Sequence, residues 1–406
     1  MRTRTGRRHR RPAGSPRNAE GAGRPKTIMA VLGTRPDAIK MAPVIRALRE
    51  HPAEFTPLVV ATAQHRELLD QVLTLFEIVP DVDLDIMTEG QSLADITVRT
   101  LQGLAEAISR RSPDLVIVQG DAAPSFVGAL AAFYRRIPVA HVEAGLRTAD
   151  KFQPYPEEMY RRMTTVLADL HFAPTRAARA HLEREGVPSA RITVTGNTVI
   201  DALLDVAGRD TRPADARLRA VLDRPGPRVL LTSHRRENWG EPQRRIFLAV
   251  RDLLDRFPSL ELVFPVHPNP VVAQPAREIL GAHPRAHLFA PLDYATVVWC
   301  MKGSAVILTD SGGIQEEAPA LGRPVLVLRE TTERPEGVRA GTARLVGTDR
   351  SRIVRAASEL LTDRVAYRRM SRARNPYGDG RAARRIIGVL RHYFGFTRNL
   401  PAEFRV

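Results

Sequence analysis

The sequence of 406 residues contains a single cysteine, Cys300. One cysteine excludes an intrachain disulfide and argues against a structural zinc site. No HxH or HExxH spacing supplies an alternative set of metal ligands, so we expect no bound metal. A chain that makes no use of disulfides is typical of a reducing compartment, and we expect this protein in the cytoplasm.

Long apolar runs are also missing. No stretch of 18 or more apolar residues occurs, which predicts that no helix spans a membrane. The arginine-rich N-terminus lacks the apolar segment of a secretory signal. Neither GxGxxG nor GxxxxGK[ST] is present, so the chain has neither the dinucleotide fingerprint nor a P-loop.

Positive charge is abundant and unevenly distributed. The formal net charge is +16, and residues 1–26 hold eight arginines and one lysine against one glutamate. This segment is rich in glycine and proline and has no apolar periodicity, which predicts a disordered basic extension. Such a tail suits contact with a polyanion, but the remaining sequence shows no nucleic-acid-binding module, and we expect no nucleic-acid partner.

From residue 27 onward, short apolar runs alternate with longer amphipathic stretches, which is typical of parallel sheets covered by helices. A polar stretch at 210–227 separates two such series. We predict an α/β fold with two doubly wound Rossmann-like domains facing a central cleft, as in the GT-B architecture: residues 27–208, residues 209–380, and a C-terminal helix and tail at 381–406 that packs back on the first domain. The predicted strands are 27–32, 58–62, 114–118, 137–142, 229–232, 260–264, 287–289, 305–309 and 324–328.

Polar clusters in the first half follow the predicted strands, where ligands bind in such sheets. Arg35 and Lys40 lie on a strand-to-helix turn that begins at a glycine, which suits an anion or is an ordinary turn with surface cations. Three carboxylates, Asp121, Glu143 and Glu157, follow later strands. Like charges in a dry cleft raise each other's pKa, which favours proton transfer, whereas an ion-pair network with Arg147 and Arg161 is the structural alternative.

The second half contributes two histidines and a glycine turn. His234 and His267 each follow a predicted strand and suit acid–base work or a phosphate contact, or are satisfied structural histidines. The turn Ser311-Gly312-Gly313 opens a helix toward a diphosphate, with Glu317 one turn further on for ribose hydroxyls, or is a plain strand-to-helix turn. Arg334 adds a cation after the next strand.

Taken together, these segments resemble the non-hydrolysing UDP-N-acetylglucosamine 2-epimerases. The resemblance runs from about residue 27 to residue 380 and is carried by GTRPDAIKMAPVI, TAQHRELLDQVLTLFEI, HVEAGLRT, TGNTVIDAL, LTDSGGIQEEAPALG and TTERPEGV. It implies a GT-B fold, a homodimer, and reversible conversion of UDP-GlcNAc to UDP-ManNAc through elimination of UDP and re-addition to a 2-acetamidoglucal. No cofactor is implied.

The resemblance also implies roles for individual residues. Asp121, Glu143 and Glu157 match the acid–base carboxylates, and His234 matches the histidine that faces the phosphate. The residues expected to bind the UDP-sugar are Arg35, Lys40, Arg147, Leu292, Val297, Ser311, Gly312, Gly313, Glu317 and Arg334. A second, allosteric UDP-GlcNAc is expected at Gln64, His65, Arg66 and His267.

Departures from the family pattern leave alternatives open. The run Ala122-Ala123-Pro124-Ser125 replaces a threonine-rich one, Tyr160 stands in place of an asparagine, and Leu292 and Val297 replace a glutamine and an aromatic residue. The nearest alternative is a hydrolysing epimerase that releases ManNAc and UDP. A GT-B glycosyltransferase and a catalytically inactive sugar-nucleotide sensor are the others.

Overall fold

The structure is a computed structural model that describes residues 24–62, 66–88, 90–148, 150–209 and 212–406, with the side chains of residues 66–68 left undescribed. Most of the predicted basic extension, residues 1–23, lies outside the described residues. The first strand begins at Lys26.

The first unit of the described chain is a seven-stranded parallel sheet in the order β3-β2-β1-β4-β5-β6-β7. Strand β1 pairs with β2 on one side and with β4 on the other, so the winding reverses between β1 and β4. The strands are β1 (Lys26–Leu32), β2 (Phe55–Ala61), β3 (Val82–Asp83), β4 (Leu115–Gln119), β5 (Val139–Val142), β6 (Leu170–Ala173) and β7 (Ile192–Val194). The helices are α1 (Arg35–Arg49), α2 (Arg66–Leu75), α3 (Leu93–Arg111), α4 (Ala123–Tyr134), α5 (Glu157–Leu167), α6 (Arg176–Arg184) and α7 (Thr198–Gly208).

The second unit is a six-stranded parallel sheet of the described residues in the order β10-β9-β8-β11-β12-β13. Here β8 is the central strand, between β9 and β11. The strands are β8 (Arg228–Thr232), β9 (Glu261–Pro265), β10 (Ala286–Phe289), β11 (Val306–Thr309), β12 (Val325–Val327) and β13 (Ala343–Leu345). The helices are α8 (Ala216–Asp223), α9 (Glu241–Arg256), α10 (Pro270–Leu280), α11 (Tyr294–Gly303), α12 (Gly312–Glu317), α13 (Pro335–Ala340), α14 (Arg350–Thr362) and α15 (Arg364–Ser371).

The predicted fold class, two doubly wound α/β units, is confirmed. Central strands such as β4 and β11 are buried along their whole length, because helices cover both faces of each sheet. The predicted strand at 137–142 is shorter than expected and begins at Val139. The polar stretch at 210–227 is not a simple linker, since it contains α8, whose Leu218 and Val221 are fully buried in the main core.

The C-terminal helix α16 (Ala382–Tyr393) returns to the first unit and packs on α1 and α7. Arg391 forms two hydrogen bonds of 2.7 and 2.8 Å with the Glu54 carboxylate beside β2. Phe394 and Phe396, which follow α16 in the chain, contact the ring of Phe55. Within the described residues, none of the helices combines the length and the apolar character needed to cross a membrane.

Candidate active site

The two units meet at the carboxyl ends of their strands. Helix α7 of the first unit contacts α11 and α12 of the second. Thr175, at the start of α6, donates a hydrogen bond of 3.2 Å to Glu336 on α13. Ligands of doubly wound sheets bind at these strand ends, so the junction is the place to look for a site.

A buried ion pair at this junction joins Lys40 on α1 to Glu143, which directly follows β5. Lys40 Nζ lies 2.8 and 2.6 Å from the two carboxylate oxygens, and the Glu143 side chain is only 4% exposed. Burial acts to raise the Glu143 pKa, but the charge and hydrogen bond of Lys40, with Arg334 and Asn197, outweigh it and lower that pKa. Glu143 is therefore held as a carboxylate.

The backbone around Glu143 is unusual. Glu143 has a φ of +62°, in the left-handed region that costs most side chains energy. Gly120, whose backbone is also in the left-handed region, lies against the Glu143 side chain. A Cβ added at Gly120 would be 3.3 Å from Glu143 Oε2. His141 Nε2 lies 2.7 Å from the Gly120 carbonyl oxygen, and Gln119 donates a 2.5 Å hydrogen bond to Glu143. The strained geometry thus points Glu143 at a close-packed polar pocket.

Asp121 follows β4 in the same cleft and meets a different environment. Its carboxylate is about one-third exposed (32%) and lies 2.5 Å from Arg161 Nη2. Burial raises the Asp121 pKa, Arg161 opposes that effect, and the nearby charge of Glu143 adds to it, so the net shift is upward. Two neighbouring carboxylates therefore have pKa values displaced in opposite directions.

Glu157 is the first residue of α5, after the cis peptide bonds Gln153–Pro154 and Tyr155–Pro156. The Glu157 side chain is half-buried and makes no hydrogen bond or ion pair with any of the described residues. Its neighbour Glu158 is fully buried and is bound by Arg162 at 2.7 Å and by Arg161 at 3.7 Å. An ion-pair network was the structural alternative to a catalytic role for these carboxylates. It is observed for Glu158 and, through Arg161, for Asp121.

In the second unit, Asp310 organises the loop that holds His234. This carboxylate is fully buried at the end of β11 and accepts hydrogen bonds from the backbone N–H groups of His234 and Arg235, at 2.9 and 3.0 Å. His234 Nδ1 also lies 3.3 Å from Asp310, and the His267 ring stacks on His234 with centroids 6.2 Å apart. Burial lowers the His234 pKa although Asp310 opposes it, which favours the neutral imidazole.

The glycine turn lies beside this loop. An added Cβ at Gly312 would be 3.8 Å from Arg235 Nη2, and one at Gly313 would be 3.6 Å from Glu317 Oε2. Tyr294 donates a 2.7 Å hydrogen bond to the buried Glu317, and burial raises the pKa of Glu317 to about 7. Arg35 of the first unit is close enough for its charge to act on Glu317, which brings the two predicted anion sites together.

Arg334 lies at the start of α13 and is bound by Glu316 through its Nε. Burial acts to lower the Arg334 pKa, but Glu316 and Glu143 outweigh it and raise that pKa. Asn197, ahead of α7, donates to both of these carboxylates, at 2.7 Å to Glu316 and 2.9 Å to Glu143. Groups from both sheets therefore converge on one polar centre.

The remaining predicted site residues have different surroundings. Arg147 is nearly buried and bonds to Glu185 at 2.7 and 2.6 Å and to Thr165, so the structure places it in an ion pair within the first unit. Leu292 and Val297 flank Tyr294 and are partly buried against the main core. Gln64 and His65 lie outside the described residues, and Arg66 belongs to α2 without a described side chain.

Several residues at this centre were not among the predicted site residues. Asn197, Glu316 and Asp310 each lie inside a motif that carries the family resemblance, TGNTVIDAL or LTDSGGIQEEAPALG. Asp310 directly follows a strand, Asn197 is a helix N-cap and Glu316 lies on a short helix, and these positions were the available signal. Their partners are far away in the chain, so the pattern alone did not show what they hold.

Comparison with known proteins now gives this geometry a context. The family model for UDP-N-acetylglucosamine 2-epimerase matches residues 46–391. The chain is 50% identical over 379 residues to UDP-N-acetylglucosamine 2-epimerase of Bacillus subtilis, covering 93% of this chain and 98% of that protein. The chain belongs to the UDP-N-acetylglucosamine 2-epimerase family.

Further members of the family support the same assignment. The Salmonella typhimurium epimerase is 52% identical over 371 residues, covering 90% of this chain and 98% of that protein. The crystal structure of the Neisseria meningitidis UDP-GlcNAc 2-epimerase bound to UDP-GlcNAc superposes with a TM-score of 0.80 at 45% identity, covering 90% of this chain and 99% of that one. The family assignment made from the motifs is confirmed.

Proposed function

We propose that this protein interconverts UDP-GlcNAc and UDP-ManNAc by inverting C2 of the sugar, without hydrolysis. The observation that carries the proposal is the pair Glu143 and Asp121, two carboxylates in one cleft whose pKa values are displaced in opposite directions. Such a pair separates a base from an acid, which inversion of a carbon centre requires. Membership of the epimerase family and the UDP-GlcNAc bound to the Neisseria meningitidis relative support the choice of substrate.

The proposed reaction is an elimination followed by re-addition. A carboxylate removes the proton from C2, the C1–O bond to UDP breaks with its electron pair remaining on the diphosphate oxygen, and a C1=C2 double bond forms. Protonation of C2 from the opposite face, with return of the diphosphate to C1, inverts C2. No net oxidation occurs, so the reaction consumes no redox equivalent.

The site residues divide this work by their surroundings. Glu143, kept ionised by Lys40, is assigned as a base, and Asp121 and Glu157 as the acids available to the other face. Arg35 and Arg334 are assigned to stabilise the negative charge that develops on the departing diphosphate, and the Ser311-Gly312-Gly313 turn is assigned to bind it. Glu317 and Tyr294 are assigned to the ribose. His234, positioned by Asp310, is assigned to face the phosphate.

The experiment is proton NMR of the purified protein with UDP-GlcNAc in deuterated water. We expect UDP-ManNAc with deuterium at C2, and loss of that exchange in Glu143→Gln with the fold intact by circular dichroism. Accumulation of free ManNAc and UDP would instead identify the hydrolysing reaction. Unchanged UDP-GlcNAc would contradict the substrate assignment.

The proposal includes a homodimer formed through the first unit. Helices α3, α4 and α5 pack side by side, and each carries large apolar side chains that this chain leaves exposed: Val98, Phe133, Tyr134 and Val166. Exposed apolar residues on adjacent helices are typical of an interface between copies. Light scattering after gel filtration tests this, with Phe133→Glu expected to give a monomer.

A cytoplasmic location remains part of the proposal, consistent with the lone buried cysteine.

A further inference from the structure

The carboxamide of Asn197 occupies the junction between the two units. Asn197 is 2% exposed and is the N-cap of α7, with its Oδ1 accepting from the Val199 N–H at 3.2 Å. Its Nδ2 donates to Glu143 Oε1 at 2.9 Å and to Glu316 Oε2 at 2.7 Å. Carboxylates accept and do not donate, so only this orientation of the amide satisfies all three contacts.

The two carboxylates belong to different units of the fold. Glu143 follows β5 of the first sheet, whereas Glu316 lies on α12 of the second, and the two are joined through one NH₂ group. Each carboxylate is backed by a cation of its own unit, Lys40 or Arg334. The result is an alternating line of charge and dipole across the cleft, in which the amide separates two anions that would otherwise repel each other.

Asn197 is also anchored independently of these carboxylates. Its backbone N–H donates to the Tyr377 carbonyl at 2.6 Å, in the segment that leads from the second unit to α16. Asn375 of the same segment donates to the Glu316 carbonyl at 2.9 Å. The amide is therefore held by both its main chain and its cap, while its two N–H hydrogens are left for the two carboxylates.

We propose that Asn197 is a positioning residue that fixes the Glu143 carboxylate in its ionised form and ties that state to the docking of α12 against the first unit. This inference rests on the proposed function, in which Glu143 is the base. When Glu316 and Arg334 are in place, both N–H hydrogens of the amide are aligned. If α12 were displaced, the amide would lose one of its two fixed partners, and Arg334 would lose the Glu316 contact that holds it near Glu143.

The acid–base behaviour of Glu143 depends on all groups that face it. These are Lys40 on α1, Gln119 at the end of β4, Asp121 and His141 on either side, Asn197 at the α7 cap, and Glu316 with Arg334 from the second unit. Lys40 and Arg334 favour the carboxylate, and Asp121 and Glu316 oppose it. Asn197, like Gln119, is a neutral amide, so its replacement by another neutral residue perturbs Glu143 without changing the net charge.

The test compares Asn197→Ser with the wild-type protein. Serine is as good an N-cap as asparagine, so α7 is retained while the bridging N–H groups are lost. We expect kcat for C2 exchange to fall at least tenfold with KM within about threefold, and the acidic limb of the kcat–pH profile to move up by about one pH unit, because a hydrogen bond to a charged group is lost. Asp215→Ala, which removes the α8 N-cap and none of the hydrogen bonds of the site, is the matched control and should leave both unchanged.

A second measurement does not depend on activity. Thermal unfolding of wild type, Asn197→Ser, Glu143→Gln and the double variant forms a cycle, in which the serine change should lower Tm less in the Glu143→Gln background than in wild type. A wild-type protein that exchanges C2 while the serine variant keeps the wild-type pH profile, or an additive cycle, would overturn the inference. A wild-type protein with no exchange but a coupled cycle would overturn the proposed function and leave the Asn197–Glu143 linkage standing.

Discussion

Replacing Lys40 by methionine gives the most direct test of how the site is held. Lys40 and Glu143 are 20% and 4% exposed, with Nζ 2.6 Å from the nearer carboxylate oxygen. Methionine keeps the unbranched stem and its packing on α1 but removes the charge. Glu143 then remains as a buried carboxylate with two neutral donors, Gln119 and Asn197.

The magnitude follows from what is left unpaired. Breaking a buried ion pair by removing one partner costs about 3–5 kcal/mol, and the two remaining donors place this case near 3 kcal/mol. For a unit of 150–250 residues, each kcal/mol lowers Tm by about 2–4 °C, so the variant should melt roughly 6–12 °C below wild type. The double variant with Glu143→Gln should recover more than half of that loss, because no buried charge remains.

The pH dependence of this loss has a definite sign. In wild type the Glu143 pKa lies below its usual 4.5, so its stabilising contribution is present above pH 4.5 and is lost as pH falls through the lowered pKa. In the methionine variant burial is opposed only by neutral donors and Arg334, so the Glu143 pKa rises and protonation relieves the penalty. The Tm gap should therefore be largest near pH 8 and shrink toward pH 5, measured by circular dichroism. No gap at pH 8, a gap that grows on acidification, or a double variant less stable than the single would refute the reasoning.

Two further predictions concern the scaffold. Gly145 has a φ of +91°, and an added Cβ would lie 2.3 Å from the Ala178 carbonyl oxygen, so Gly145→Ala should lower the free energy of unfolding in urea by more than about 3 kcal/mol. The control Gly186→Ala, at a φ of +88° with open space around it, should lower it by only about 1–2 kcal/mol. Equal losses in the two variants would contradict the clash argument. Burial lowers the pKa of His171 to about 3, so below pH 6.5 this histidine is protonated in the unfolded chain but not in the folded one. Its titration therefore leaves the free energy of unfolding unchanged above pH 6.5 and lowers it by about 1.4 kcal/mol per pH unit below that. His171→Gln should remove that part of the acid sensitivity, whereas an unchanged slope of stability between pH 7 and pH 5 would show that His171 is not its source.

The fold was readable from sequence where strands are long and buried on both faces. Strands β1, β4, β8 and β11 appear as apolar runs because parallel strands under two layers of helices have no polar face. Strands β3, β6, β7 and β13 were not predicted, whereas the three-residue β12 was, because Pro324 and Leu328 extend it into a longer apolar run. Strand β3 pairs through two residues and β13 through three, too few to produce a run or an alternation.

The site was predictable as a set of residues and not as a set of contacts. Lys40 and Glu143 were both expected, but 103 residues separate them, and no local pattern indicates that they pair. Asn197 shows the limit clearly, since its partners lie 54 and 119 residues away and its N-cap position explains its presence by itself. The sequence likewise did not show what binds Arg147, because its partner Glu185 lies 38 residues further along the chain.

In the proposed reaction, the neighbours of each carboxylate decide which one acts as base and which as acid. Three carboxylates enter the cleft from the first unit, and their side chains alone do not distinguish an acid from a base. Glu143 receives a lysine and two amide donors and stays charged, Asp121 shares one arginine with Glu158, and Glu157 at the start of α5 has neither. Part of what charges Glu143 comes from Arg334 in the second unit, so full separation of acid from base requires both units to be engaged. In the proposed reaction, a cleft assembled in this way therefore acquires the charge distribution that separates base from acid only when both units contribute their side chains.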